Sequence, residues 1–122
     1  MKPLIFVADA QETLADFPAP VKRQVGFALY QAQMGGKNVD AKPLKHTGAG
    51  LLEVVSDNRG DTFRTVYTVK LQNAVFVLHV FQKKSKHGIA TPKSVMKLIE
   101  QRLKRAIEID MELGSGDAKA RI

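Results

Sequence analysis

Between Leu51 and Phe81 three β-prone runs follow one another with almost no chain between them, which leaves few ways to fold. Leu51 to Ser56, Thr62 to Leu71 and Ala74 to Phe81 are rich in Val, Leu, Phe and Thr. Their connectors, Asp57-Asn58-Arg59-Gly60-Asp61 and Gln72-Asn73, are too short for the crossover that parallel strands need. An antiparallel meander is therefore expected. Strict alternation in the third run would put Phe76, Leu78 and Val80 on one face, and Val77, His79, Phe81 and Lys83 on the other.

The flanking segments read as helix and loop. Leu4 to Val7 is a short first strand, Ala10 to Phe17 is helical, and after Pro18 and Pro20 the spacing of Val21, Val25, Ala28, Leu29 and Ala32 predicts a second helix ending at Gly35-Gly36. These two helices suggest a hairpin. Lys37 to Gly50 reads as a long loop. Thr91-Pro92 suits the N-cap and first turn of a C-terminal helix whose apolar seam is Val95, Ile99, Leu103 and Ile107. The expected fold is α+β: an N-terminal helical hairpin on an antiparallel β-sheet, with a basic C-terminal helix. One domain spans residues 1–113, and residues 114–122 are expected to form a disordered tail. A chain of 122 residues buries roughly two-thirds of its unfolded surface, enough for one core.

Charge is concentrated in one place. From Lys83 to Arg105 there are eight Lys or Arg against one acid, Glu100, while the whole chain has 19 basic and 12 acidic residues. This stretch therefore holds all of the net charge of +7. A localised cationic patch is the footprint of a polyphosphate binder.

Several chemistries are disfavoured. Zero cysteines removes thiol catalysis and cysteine-type zinc sites, and the three histidines, His46, His79 and His87, are scattered. Gly48-Ala49-Gly50 precedes a strand and lacks the lysine and helix of a phosphate-binding loop. No serine sits in a hydrolase elbow, and neither a metal nor another cofactor is expected. Asp9 ends the N-terminal apolar run, and no span approaches the roughly 20 apolar residues of a membrane helix, so a cytoplasmic protein with no membrane partner is expected.

What remains is Glu53, Arg64, Tyr67, His79, Lys83, Lys84, Lys86 and His87. Cleaving RNA through its own 2′-hydroxyl needs a proton acceptor, a cation facing the phosphorane and a proton donor for the leaving 5′-oxygen. Arginine forks onto phosphate oxygens, and a lysine crowded by cations becomes a better base. Lys86, His87, Lys93, Lys97, Lys104 and Arg105 would bind RNA. Each residue also has a plainer reading: Lys83-Lys84-Ser85-Lys86 as a solvated loop, Arg64 and Glu53 as a cross-strand pair, His79 and Tyr67 as packing residues.

Taken together, Gly50-Leu51-Leu52-Glu53-Val54, Phe63-Arg64-Thr65-Val66-Tyr67, Leu78-His79-Val80-Phe81-Gln82-Lys83-Lys84-Ser85 and Thr91-Pro92 resemble the phage-derived, HigB-like branch of the RelE/ParE toxin superfamily. The resemblance covers roughly residues 45–105. It implies two N-terminal helices packed on a twisted antiparallel sheet, ribosome-dependent mRNA cleavage, and neutralisation by a cognate antitoxin, often a helix-turn-helix protein. It places the family's strand arginine on Arg64 and its lysine pair on Lys83 and Lys84, with Glu53 and His79 in the same motifs. Val55 stands where the family's first motif often carries an arginine, and Phe63 where it has a tyrosine. Two rivals stay open: a ParE-like topoisomerase inhibitor that cuts nothing, and an RNA-binding module without chemistry.

Overall fold

A computed structural model describes residues 1–44, 50–83 and 92–120, with side chains as far as residue 115. The elements are β1 (Leu4–Phe6), α1 (Ala10–Ala15), α2 (Ala19–Gln33), β2 (Ala41–Pro43), β3 (Leu51–Asn58), β4 (Asp61–Thr68), β5 (Val75–Lys83) and α3 (Lys93–Ala120). They form a mixed α+β fold around one five-stranded sheet in the order β1-β5-β4-β3-β2.

The meander is present. Arg59 and Gly60, both at positive φ (51° and 85°), turn β3 directly into β4, so pairing continues to Asn58↔Asp61. Positive φ at both central residues suits the right-handed twist of paired strands, and glycine makes the second position easy. The sheet is not wholly antiparallel, however. β1 lies parallel to β5, with Leu4 opposite Val75 and Phe6 opposite Val77. Such a pairing needs a long connection, which the intervening elements supply. A further short strand, β2, falls inside the expected Lys37–Gly50 loop and pairs antiparallel with β3, Lys42 opposite Glu53. Three residues ending in proline give too weak a periodicity to read as a strand.

Helices cover both faces. On one, α2 brings Val21, Val25, Ala28, Leu29 and Ala32 against Val54, Tyr67, Val75, Val77 and Val80, while Phe17 packs on Phe63 with ring centroids 4.7 Å apart. α1 has only six residues and packs mainly on β5, while α2 packs on β3 and β5. The expected helical hairpin is thus two helices whose main contacts are with the sheet. On the other face, α3 lays Val95, Met96, Ile99, Leu103, Ala106, Ile109 and Leu113 over Leu51, Val66, Phe76 and Leu78. Ile107, assigned to this seam from its spacing, is exposed, and Ala106 takes its place. A helix turning 100° per residue drifts off a strict i+4 row, so the buried stripe must step by three.

Two ends of α3 also differ from expectation. The backbone N–H of Met96 donates to the Pro92 carbonyl, making Pro92 the residue that opens the helix; Thr91, the expected N-cap, lies outside the described residues. Downstream, helix continues through Gly114 to Ala120, where a tail was expected from residue 114. Its last turns begin from an anchor: Asp110 accepts from the backbone N–H groups of Gln72 and Asn73 at 3.2 and 2.8 Å, and the Asn73 side-chain amide donates to the Asp110 carbonyl. Among the described residues no helix is long and apolar enough to cross a membrane.

Candidate functional site

Strand β5 carries an irregularity that decides where its polar side chains go. His79 pairs with Val66, but Val77 pairs with Tyr67, which leaves Leu78 as an extra residue. A bulge shifts the alternation by one position. Phe76 and Leu78 therefore face α3, and so do His79, Phe81 and Lys83, while Val75, Val77 and Val80 face α2. The strict alternation expected from sequence fails here, separating Val77 from His79 and Val80 from Phe76.

The same face receives residues from the neighbouring strands. Register places Glu53 opposite Val66, Val55 opposite Arg64, Arg64 opposite Phe81 and Thr62 opposite Lys83. Glu53, Arg64, His79 and Lys83 thus share the α3 face, with Arg64 and Lys83 at diagonal positions one pleat apart. Tyr67 lies on the opposite face, buried under α2, where desolvation raises its pKa and keeps the phenol protonated. It is a packing residue and no part of this cluster.

Arg64 and Glu53 form an ion pair. Arg64 Nη1 donates to both carboxylate oxygens at 3.2 and 3.1 Å, and both side chains are largely buried. Two buried cationic atoms have no such partner among the described residues: Arg64 Nε and Lys83 Nζ. Buried donors without acceptors are costly, on the order of 1–3 kcal/mol each, and more when charged. An anion meeting both would relieve that cost. Lys84, Lys86 and His87 lie outside the described residues.

His79 is held by residues that sequence reasoning left out of the site. Arg102, counted with the basic patch, turns inward. Its Nη1 donates to His79 Nδ1 at 3.0 Å and to the Leu78 carbonyl at 3.0 Å, and its Nη2 pairs with Asp9 at 2.8 Å. The bulge carbonyl is thereby satisfied from α3. Ala8, at φ 53°, turns the chain between β1 and α1 just before Asp9. Because guanidinium only donates, Nδ1 must accept, and the proton of a neutral His79 sits on Nε2. Burial lowers the His79 pKa, the Arg102 charge lowers it further, and Asp9 opposes both. Phe81 stacks on the ring at 4.9 Å. In this arrangement His79 offers an N–H and has no free lone pair with which to act as a base.

On α3, Lys93, Lys97 and Lys104 are exposed. Arg105 lies 3.9 Å from both Glu108 and Glu112, so its charge is shared with two acids. Among the described residues no three His, Asp or Glu side chains gather closely enough to hold a metal ion. A separate open cleft of about 540 Å³ lies on the α2 side, lined by Asp9, Glu12, Asp16, Asp61, Phe63 and Gln82. Its four carboxylates make it unsuited to a phosphate.

Across residues 12–104 the chain matches the model of a family described as phage derived protein Gp49-like (DUF891). That span takes in every described residue of the cluster except Asp9. No curated protein matches the chain significantly.

Proposed function

The chain belongs to the Gp49-like family of phage-derived proteins, and from that premise we propose that it is the toxin of a type II toxin–antitoxin pair, an endoribonuclease that cuts mRNA on the ribosome. The family's association with RelE-like toxins supports the toxin reading. The observation that carries the nuclease reading is the convergence of Arg64 and Lys83 on one sheet face, with Nε and Nζ buried and bonded to none of the described residues.

In the proposed reaction the RNA 2′-oxygen attacks the adjacent phosphorus, the 5′-oxygen leaves, and a 2′,3′-cyclic phosphate remains. Arg64 neutralises the charge that grows on the phosphoryl oxygens, the step at which a preorganised cation is most effective. Lys83 faces the same space: as the free amine it takes the 2′-hydroxyl proton, and the ammonium so formed stabilises the phosphorane and returns the proton to the leaving 5′-oxygen; Lys84 is the alternative for this role. The Nε2–H of His79 can donate to a phosphate oxygen or to a base. Glu53 holds the guanidinium in place. With no strong general base, the enzyme depends on the ribosome to hold the 2′-oxygen in line, and free RNA is cut poorly. Lys93, Lys97 and Lys104 bind ribosomal RNA, and a helix-turn-helix antitoxin neutralises the protein in the cytoplasm.

The reading is tested by induced expression and by single-turnover cleavage on programmed ribosomes. Growth arrest with new mRNA 5′ ends at the decoding site is expected. Arrest accompanied by gyrase inhibition and intact mRNA would replace the nuclease with a topoisomerase inhibitor.

A further inference from the structure

Asp9 does not do what its place in the chain calls for. It stands at the N-cap of α1, where an aspartate side chain ordinarily accepts from free backbone N–H groups, yet its carboxylate makes no capping bond. Its backbone carbonyl serves the helix, accepting from the Thr13 N–H and the Thr13 hydroxyl at 3.0 Å each. The carboxylate goes instead to Arg102 Nη2, 2.8 Å away, and the chain reaches that position through Ala8 at φ 53°, a conformation uncommon for a residue with a Cβ. Backbone of this kind persists only where its surroundings enforce it.

Arg102 connects three parts of the fold. Its guanidinium meets Asp9 at the junction of β1 and α1, the Leu78 carbonyl at the bulge of β5, and His79 Nδ1 on the next residue of that strand. A planar fork spans these groups, and the point charge of a lysine would not. With Nδ1 engaged as acceptor, turning the imidazole over would set two donors against each other, so the ring has one orientation. Register then places it. Arg64 lies opposite Phe81, so His79 and Lys83 flank Arg64 one pleat to either side on the α3 face. Phe81, stacked on the ring, keeps its plane.

We propose that Asp9 and Arg102 are a positioning pair that holds His79 as a neutral ring with its Nε2–H presented to the phosphate engaged by Arg64 and Lys83. Asp9 acts through Arg102, and Arg102 through His79; neither touches the RNA. The inference rests on the reading of Arg64 and Lys83 as the phosphate-facing cations. The charged groups around His79 are Arg102 and Asp9 from the helical side and Arg64, Lys83 and Glu53 from the sheet. Burial and then the Arg102 charge disfavour the imidazolium, and Asp9 moderates them. A neutral Nε2–H donates a hydrogen bond without giving up its proton, so His79 stabilises a phosphoryl oxygen and the proton transfers stay with the lysine.

Heteronuclear NMR of the His79 ring nitrogens in the full chain tests the pair directly, and single-turnover cleavage on programmed ribosomes tests its consequence. Wild type at neutral pH should show the Nε2-protonated form. Asp9→Ala, which removes no capping bond, and Arg102→Lys, which keeps the charge but not the fork, should both admit the Nδ1-protonated form. Each should lower the maximal cleavage rate by up to about 10²-fold, the cost of a misplaced group, with little change in the ribosome concentration giving half that rate. Asp9→Asn keeps an acceptor for Arg102 Nη2 and should restore most of the loss. The Asp9 side chain is exposed, so its two variants decide the matter even if Arg102→Lys loosens α3. A ring that stays Nε2-protonated in Asp9→Ala, or cleavage by that variant at the wild-type rate, would overturn the proposal. The NMR measurement judges the pair whether or not the chain cuts RNA, so a wild type that leaves mRNA intact removes the nuclease reading alone.

Discussion

Arg64 is a paired cation with one buried nitrogen bonded to none of the described residues, and its replacement is the most direct test of the chemistry. Loss of a preorganised charge stabiliser typically lowers the rate by about 10²–10³. Arg64→Ala should lose that much in single-turnover cleavage while still binding ribosomes through α3. Since the change strands the largely buried Glu53 carboxylate, the double variant Arg64→Ala/Glu53→Gln carries the same test with that charge removed. Unchanged cleavage in both would remove Arg64 from the mechanism. His79 gives a second prediction at this scale. Its folded pKa lies below the ordinary value of about 6.5, so the unfolded chain binds its proton more readily. Its contribution to stability is complete above the unfolded pKa and falls away as pH drops through the folded one. Protonation also removes the acceptor for Arg102. Denaturation midpoints measured from pH 7.5 to 5 should decline in the wild type and decline less in His79→Gln; parallel curves would contradict this.

At the scale of elements, α3 is the piece most dependent on specific polar contacts. Its apolar seam supplies area, but its angle on the sheet is fixed by Arg102 at one point and Asp110 at another. Asp110→Ala should expose the Gln72 and Asn73 amides, costing about 1–3 kcal/mol for the charge-assisted bonds lost. Amide exchange at those two positions should accelerate well beyond that at Val66; equal protection would show that the connector holds itself. The bulge in β5 is a second element-level decision. By re-aiming His79 and Lys83 toward α3 it collects Glu53, Arg64, His79 and Lys83 on one surface.

For the molecule as a whole, the sheet separates two surfaces of different character, a cationic one on the α3 side and an acidic cleft on the α1 and α2 side. Ribosome affinity should fall steeply between about 50 and 200 mM salt, because each neutralised phosphate releases condensed counterions. Lys97→Ala/Lys104→Ala should flatten that dependence and weaken binding without slowing the chemical step once bound. A salt-independent affinity would mean that the patch is only solvated charge.

Periodicity and turn chemistry sufficed to place the three meander strands, the second helix and the basic helix, because hydrophobic spacing, glycines and prolines are local signals. Gly60 marks a turn in the sequence, whereas the positive φ of Arg59 beside it is set by the strands that the turn joins. Arg64, Glu53 and Lys83 were legible as candidates, and Val21, Val25, Ala28, Leu29 and Ala32 as the core-facing side of a helix, but what each meets was not. Alternation groups His79, Phe81 and Lys83, but whether Leu78 is accommodated as a bulge depends on what packs above and below β5, so alternation alone could not part them from Val77 or set them beside Phe76 and Leu78. The parallel pairing of β1 with β5 and the inward turn of Arg102 toward Asp9 and His79 join residues far apart in the chain. Those choices are made by burial: the Arg102 guanidinium turns inward where a carbonyl, an imidazole and a carboxylate converge on it, and only the tertiary structure brings the three together.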